Sequence, residues 1–182
     1  ISKGKEKVVE EIKALEKNEA IELAESIIGK NPKAADEIWN LSKGHPFVTV
    51  LISKKYLETK NTKKSFLVEL LTKDNLLYDY CSDSYNYYYN RARGQTLLNT
   101  ILKVIANEEL RLSEIAKKIY RSAPVTKSIL ERLMDVDVIY KKDNKFYFTD
   151  DVLRLWVKLT SQGYDFDEIP DDKILEEAMK EI

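Results

Sequence analysis

The sequence predicts a mainly α fold, a small helical bundle followed by a winged helix-turn-helix domain with a β-hairpin wing. Three observations carry that prediction. Apolar residues recur at helical spacing through most of residues 1–60, the period falls to two between Asp135 and Asp150, and turn formers stand at the joints between the patterned runs.

Val8, Val9, Ile12 and Leu15 predict a first helix. Ile21, Leu23, Ala24, Ile27 and Ile28 predict a second, ending near Gly29 and Asn31-Pro32. A third, roughly Lys33 to Leu41, presents Ala34, Ile38 and Leu41 and stops at Gly44, a residue free to end it in the left-handed conformation. The fourth runs from about Pro46 through Leu57. Its first half holds β-branched Val48, Thr49, Val50 and Ile52, so a strand competes there. Pro46 favours the helix, because its missing N–H costs nothing in a first turn. These four make the bundle of residues 1–60.

Residues 61–93 read as a connector. SFLVELL has a buried helical pattern, and YDYCSDSYNYYYN places six tyrosines in thirteen residues. Such rings pack well between two regions while their hydroxyls reach water or a carbonyl. A stacking surface for single-stranded nucleic acid is the lesser reading, since Asp79 and Asp83 lie within the cluster and dense basic partners do not.

Residues 94–160 form the winged region. Leu97, Leu98, Ile101, Leu102 and Ile105 make one helical stripe, and Ser113-Glu114 open a short helix with Ile115, Ala116 and Ile119 inward. Ser122-Ala123-Pro124 make the turn, and Thr126 or the residues before it cap a helix with Ile129, Leu130 and Leu133 inward. Val136, Val138 and Tyr140 then alternate, Asp143-Asn144 turn, and Phe146 and Phe148 alternate again, which predicts a two-stranded hairpin. A last helix starts at Asp150 or Asp151 and buries Val152, Leu153, Leu155, Trp156 and Leu159. Residues 161–182 are an acidic tail with eight acids against two lysines, in which Ile174, Leu175, Ala178 and Met179 suit a docking helix.

Charge narrows the functions. The 182 residues carry 30 basic and 31 acidic side chains, a formal net charge of -1, so any attraction to nucleic acid must be local. One cysteine and one histidine leave no internal disulfide and argue against a His/Cys metal cluster. There is no run of bilayer length and no signal-peptide core, and a cytoplasmic location with no membrane partner is the expectation. The opening on Ile1, already in a helical pattern, reads as the later part of a longer polypeptide.

In a DNA-binding winged helix, the helix after the turn enters the major groove. Here that helix is VTKSILERLM, whose expected exposed residues are Thr126, Lys127, Glu131 and Arg132. Arg121 precedes it, and Lys141, Lys142 and Lys145 stand on the wing. From Gln95 to Thr160 twelve basic residues face nine acidic ones, and Glu131 sits among the few donors of the recognition helix. DNA contact, protein or intramolecular contact, and a structural role all stay open. No catalytic constellation emerges: Glu10, Glu11 and Glu16 suit a solvated face, the Gly-x4-Gly-Lys-Ser/Thr phosphate loop is missing, and His45 has no metal-binding companion.

ALEKNEAIELAES, AADEIWNLSKGHPF and DNKFYFTDDVLRLWV, taken in that order over roughly residues 10–160, resemble the C-terminal part of an archaeal ATPase of the AAA+/STAND class. That family follows an ATP-binding α/β core with a helical lid and a winged helix. GHPF is similar to its Gly-x-Pro lid motif beside the nucleotide, and YFTDDVLRLWV to its strand and Asp-Pro-Val-Leu-Arg-like helix start, with Asp151 where proline is common. The resemblance implies that Gly44, His45 and Pro46 wall a nucleotide pocket and that the lid moves the winged helix as ATP gives way to ADP. It also implies that the phosphate loop and the Mg2+-binding acid belong to a core upstream of Ile1. This chain alone is then expected to be inactive and to bind no cofactor stably. The alternative is a stand-alone DNA-binding regulator whose helical front half dimerises.

Overall fold

A computed structural model describes residues 14–93 and 96–182. The helix expected from Val8 falls outside those residues, apart from Ala14 and Leu15, which are not helical. The bundle consists of α1 (Lys17–Ile28), α2 (Pro32–Ser42), α3 (Pro46–Thr59) and α4 (Thr62–Leu71). Asparagine starts two of them. The Asn31 carboxamide oxygen accepts from Ala34 N at 3.2 Å and that of Asn61 from Lys64 N at 2.9 Å, each satisfying a donor that the first helical turn leaves bare. The β-branched run in α3 is helical, because Val48, Leu51 and Ile52 reach one core only at helical spacing.

α4 is the centre of the fold. Phe66, Leu67, Val68, Leu70 and Leu71 are all buried, and so are Ser65 and Glu69 between them, so the helix is covered on every side from Ser65 onward. α3 covers one side of it, and α5 (Leu76–Arg91) another. α5 is the tyrosine helix. It buries Leu77 and Cys81, while Tyr78 and Tyr85 set their rings 5.7 and 5.8 Å from that of Trp156 in the last winged-region helix. One continuous apolar core therefore runs from the bundle through α5 into the winged region.

That region comprises α6 (Thr96–Asn107), β1 (Leu110–Arg111), α7 (Leu112–Lys118), α8 (Ala123–Asp135), β2 (Ile139–Lys142), β3 (Lys145–Phe148) and α9 (Asp151–Ser161). Asp143 and Asn144 both hold positive φ, 49° and 61°, the combination that a two-residue hairpin turn requires. Three details differ from the sequence reading. The sheet has three antiparallel strands in the order β1-β3-β2, because Leu110 and Arg111 pair with Phe146 and Lys145. The phase of β2 is shifted: Val136 ends α8, Ile139 is the buried strand residue, and Tyr140 lies outside, stacked on Tyr147 at 5.5 Å. Ala123 and Pro124 are already helical, with Ser122 as the N-cap.

The tail returns to the bundle. Phe166 forms a parallel bridge with Thr72, and α10 (Asp172–Ala178) buries Leu175 and Ala178 against α4. Lys73 meets Asp167 at 2.9 Å, Lys64 meets Asp172, and Lys158 meets Glu181 at 2.8 Å. The acids of the tail thus answer lysines of its own bundle and of α9. Among the described residues no helix is long and apolar enough to cross a membrane.

Candidate functional site

Gly44 makes the corner between α2 and α3. Lys43 ends α2 in the left-handed conformation and Gly44 follows at φ 77°. A Cβ on Gly44 would stand 2.5 Å from the Leu15 carbonyl oxygen and 2.6 Å from the Trp39 ring. Both the backbone conformation and the close approach therefore demand glycine. Leu15 N also donates to Gly44 O at 2.8 Å, which ties the corner to the chain entering α1. His45 is the N-cap of α3 and Pro46 its first residue. Thr49 Oγ1 donates to Ser42 Oγ at 2.9 Å beneath the corner and locks the two helices together.

The imidazole of His45 packs edge-on against Tyr80 of α5, ring centres 5.5 Å apart, with Nε2 3.4 Å from the Tyr80 hydroxyl. Burial, and next the charge of Asp150, push the Tyr80 phenol up to about 12, so it stays protonated. Nδ1 of His45 is buried and has no hydrogen-bond partner among the described residues. An orphaned buried nitrogen is uncommon and marks a place where a partner is wanted.

The corner opens on a cleft of about 390 Å³ lined by Ser42, Lys43, His45 and Pro46 on one wall and Thr149, Asp150, Asp151 and Val152 on the other. The two motifs of the sequence, more than 100 positions apart, therefore face each other. Asp150 is fixed as the N-cap of α9, its carboxylate accepting from Val152 N at 2.8 Å and Leu153 N at 3.1 Å. Lys43, Thr149, Asp150 and Asp151 were not assigned to the site from sequence; the acids showed there only as a helix start. Chemically the cleft sets apolar Pro46 and Val152 beside the Lys43 cation, two carboxylates and an imidazole. No group of three His, Cys, Asp or Glu side chains that could hold a metal ion gathers among the described residues.

The fold turns two of the residues named for nucleic acid inward. Thr126, expected to be exposed, is fully buried and donates its hydroxyl to Ser122 O at 3.0 Å. Arg132 is half-buried, reaching back toward Ala92 O at 3.5 Å with its Nε buried, so it too leaves the outward set. Lys127 lies 3.7 Å from Glu131 one turn along α8, and Lys145 lies 3.5 Å from Glu109. Lys141 sits over the Phe146 ring at 5.9 Å, Arg121 donates to the carbonyl of Tyr120, and Lys142 projects from the wing. What the α7–α8 turn presents most strongly is Tyr120, 87% exposed at φ 53°, with Val125, five positions on, also exposed on α8.

The fold has a counterpart among solved structures. Over 80% of its length this chain superposes on a Walker-type ATPase of Pyrococcus abyssi with a TM-score of 0.63 at 17% identity, spanning 42% of that protein. Likeness at that identity is likeness of fold: a mainly helical bundle and winged hairpin related to part of a Walker-type ATPase. No family model and no curated protein matches the sequence.

Proposed function

We propose that this chain is the lid and winged-helix portion of an ATP-binding P-loop ATPase and couples nucleotide state to a macromolecular partner. The observation that carries the reading is the cleft at Gly44-His45-Pro46, where a buried imidazole nitrogen without a partner among the described residues lies at the meeting point of the bundle and the start of α9. A ligand there touches both regions at once, so its arrival or loss changes the free energy of their relative placement. His45 and Pro46 cover the base and ribose, Asp150 and Asp151 accept from ribose hydroxyls, and the phosphates and Mg2+ belong to a core outside this chain. ATP bound to such a core supplies the phosphoryl-transfer energy; the residues here bind, orient and report.

The fold shared with part of a Walker-type ATPase supports the reading, as do apolar Pro46 and Val152 set beside hydrogen-bonding groups in the cleft. The test is direct. The coding sequence upstream of Ile1 is read for a phosphate loop, and the longer chain that it encodes is purified with fluorescent ADP bound. His45→Ala with Pro46→Ala is expected to speed ADP release severalfold. An upstream region without a phosphate loop, or release that ignores both substitutions, overturns the proposal.

The stand-alone DNA regulator is the weaker reading on this structure. Burial of Thr126, the inward Arg132 and the Lys127–Glu131 pair leave α8 with few donors for base edges. The exposed Tyr120 and Val125 fit a protein partner better.

A further inference from the structure

A second cleft lies at the opposite end of the α2–α3 pair. α2 is 11 residues long, so roughly 16 Å separate its start from the corner at Gly44. The sequence repeats a short pattern at this end. Lys30-Asn31-Pro32-Lys33 enters α2 and Lys60-Asn61-Thr62-Lys63 enters α4, each with asparagine at the N-cap and lysine at the second helical position. The fold brings the two copies together around a cleft of about 310 Å³ that Lys33, Lys60, Lys63, Tyr56 and Glu37 help to line.

The charge in this cleft is unbalanced. None of Lys33, Lys60 and Lys63 is within ion-pair distance of a carboxylate among the described residues. Glu37, the one acid in the lining, accepts from the Thr62 hydroxyl. Tyr56 Oη receives the Asn31 carboxamide proton at 3.3 Å, which leaves its own O–H to donate elsewhere. Gathering three ammonium groups in one concavity is unfavourable in the free protein, and a multiply charged anion removes that repulsion. The starts of α2 and α4 add positive potential of the same sign.

We infer that this cleft binds a small phosphate-bearing ligand with at least two negative charges, held by Lys33, Lys60 and Lys63 and hydrogen-bonded by Tyr56. At about 310 Å³ the cleft has room for a diphosphate group and for part of the molecule that carries it. The inference stands apart from the nucleotide reading of the Gly44 corner, since the two sites share no lining residue.

Amide spectra of the 182-residue chain at low salt, titrated with inorganic phosphate and then pyrophosphate, provide the test. Shifts concentrated at Lys33, Tyr56, Lys60, Thr62 and Lys63, larger for pyrophosphate, are expected; the triple variant Lys33→Gln, Lys60→Gln, Lys63→Gln abolishes them and Lys54→Gln, an exposed lysine outside the cleft, keeps them. Shifts spread evenly over exposed lysines such as Lys142, or a triple variant that still binds, overturn the inference. A duplex DNA that binds through these same lysines more tightly than pyrophosphate also overturns it, by assigning them to a polymer backbone.

Discussion

The two proline-opened corners of this molecule are built to opposite ends. At the first, Gly44 is wedged between the Leu15 carbonyl and the Trp39 ring, and His45-Pro46 launch α3 over a closed polar lock of Ser42 and Thr49. At the second, Tyr120 turns the chain at positive φ with its ring in solvent, and Ser122 to Pro124 launch α8 with nothing laid over them. One corner is held from behind so that its geometry is fixed. The other spends an exposed aromatic ring on its surroundings. The difference teaches where to look for a ligand and where for a partner: a fixed corner with an orphaned nitrogen suits a small molecule, an open one with a large ring suits a protein surface.

The largest way to test the comparison is to ask whether the corners belong to one cooperative unit. Leu77→Ala removes a fully buried side chain from α5, between the two regions, and is expected to cost about 2–5 kcal/mol in one urea transition seen equally by Trp39 and Trp156 fluorescence. Two separated transitions would mean that the corners fold independently. Next is Gly44→Ala, where strain and steric overlap together should cost about 2–4 kcal/mol, whereas Tyr120→Ala should change thermal stability by less than about 0.5 kcal/mol. Equal effects at both sites would erase the contrast between a fixed and an open corner.

Alkali offers a third measurement. Tyr78, Tyr80 and Tyr85 are each held up to about 12, chiefly by burial, from an ordinary value of 10. Their neutral form is favoured in the folded state, so their contribution to stability is complete below pH 10 and is lost as pH rises toward 12. Urea midpoints should therefore fall through that window, and Tyr80→Phe should flatten the fall. The smallest expected effect is at α8: Lys127→Gln breaks an exposed pair with Glu131 and should shift stability by less than about 0.5 kcal/mol. It should also leave anisotropy of a labelled duplex nearly unchanged against competitor DNA. A sharp loss of competitor-resistant binding would instead restore α8 as a base-reading helix.

The order of helices and the hairpin were legible in the sequence because they rest on local signals. Pro46 and Asp143-Asn144 each dictate backbone geometry within a few residues, whereas Asn31 and Asn61 cap α2 and α4 without having been read as caps. The errors arose where a side chain had two uses. Threonine in a first helical turn reads as exposed, yet Thr126 satisfies its hydroxyl on Ser122 O and goes inward. The phase of β2 was misread because Tyr140 is apolar enough to suggest a core position, while its ring finds cover on Tyr147 at the surface. β1 was missed because two residues, Leu110 and Arg111, are too short for any periodicity. The corner was visible as a motif and its cleft was not, since the opposite wall comes from Thr149 to Val152, far along the chain.

The docked tail has a practical corollary. Its last residues, Glu181 and Ile182, line a crevice with Asn40, Leu41 and Lys43, next door to the Gly44 corner. A fluorophore joined after Ile182 thus becomes a proximity gauge for the Gly44 corner, and a bulky affinity tag at the same place risks wedging that crevice open.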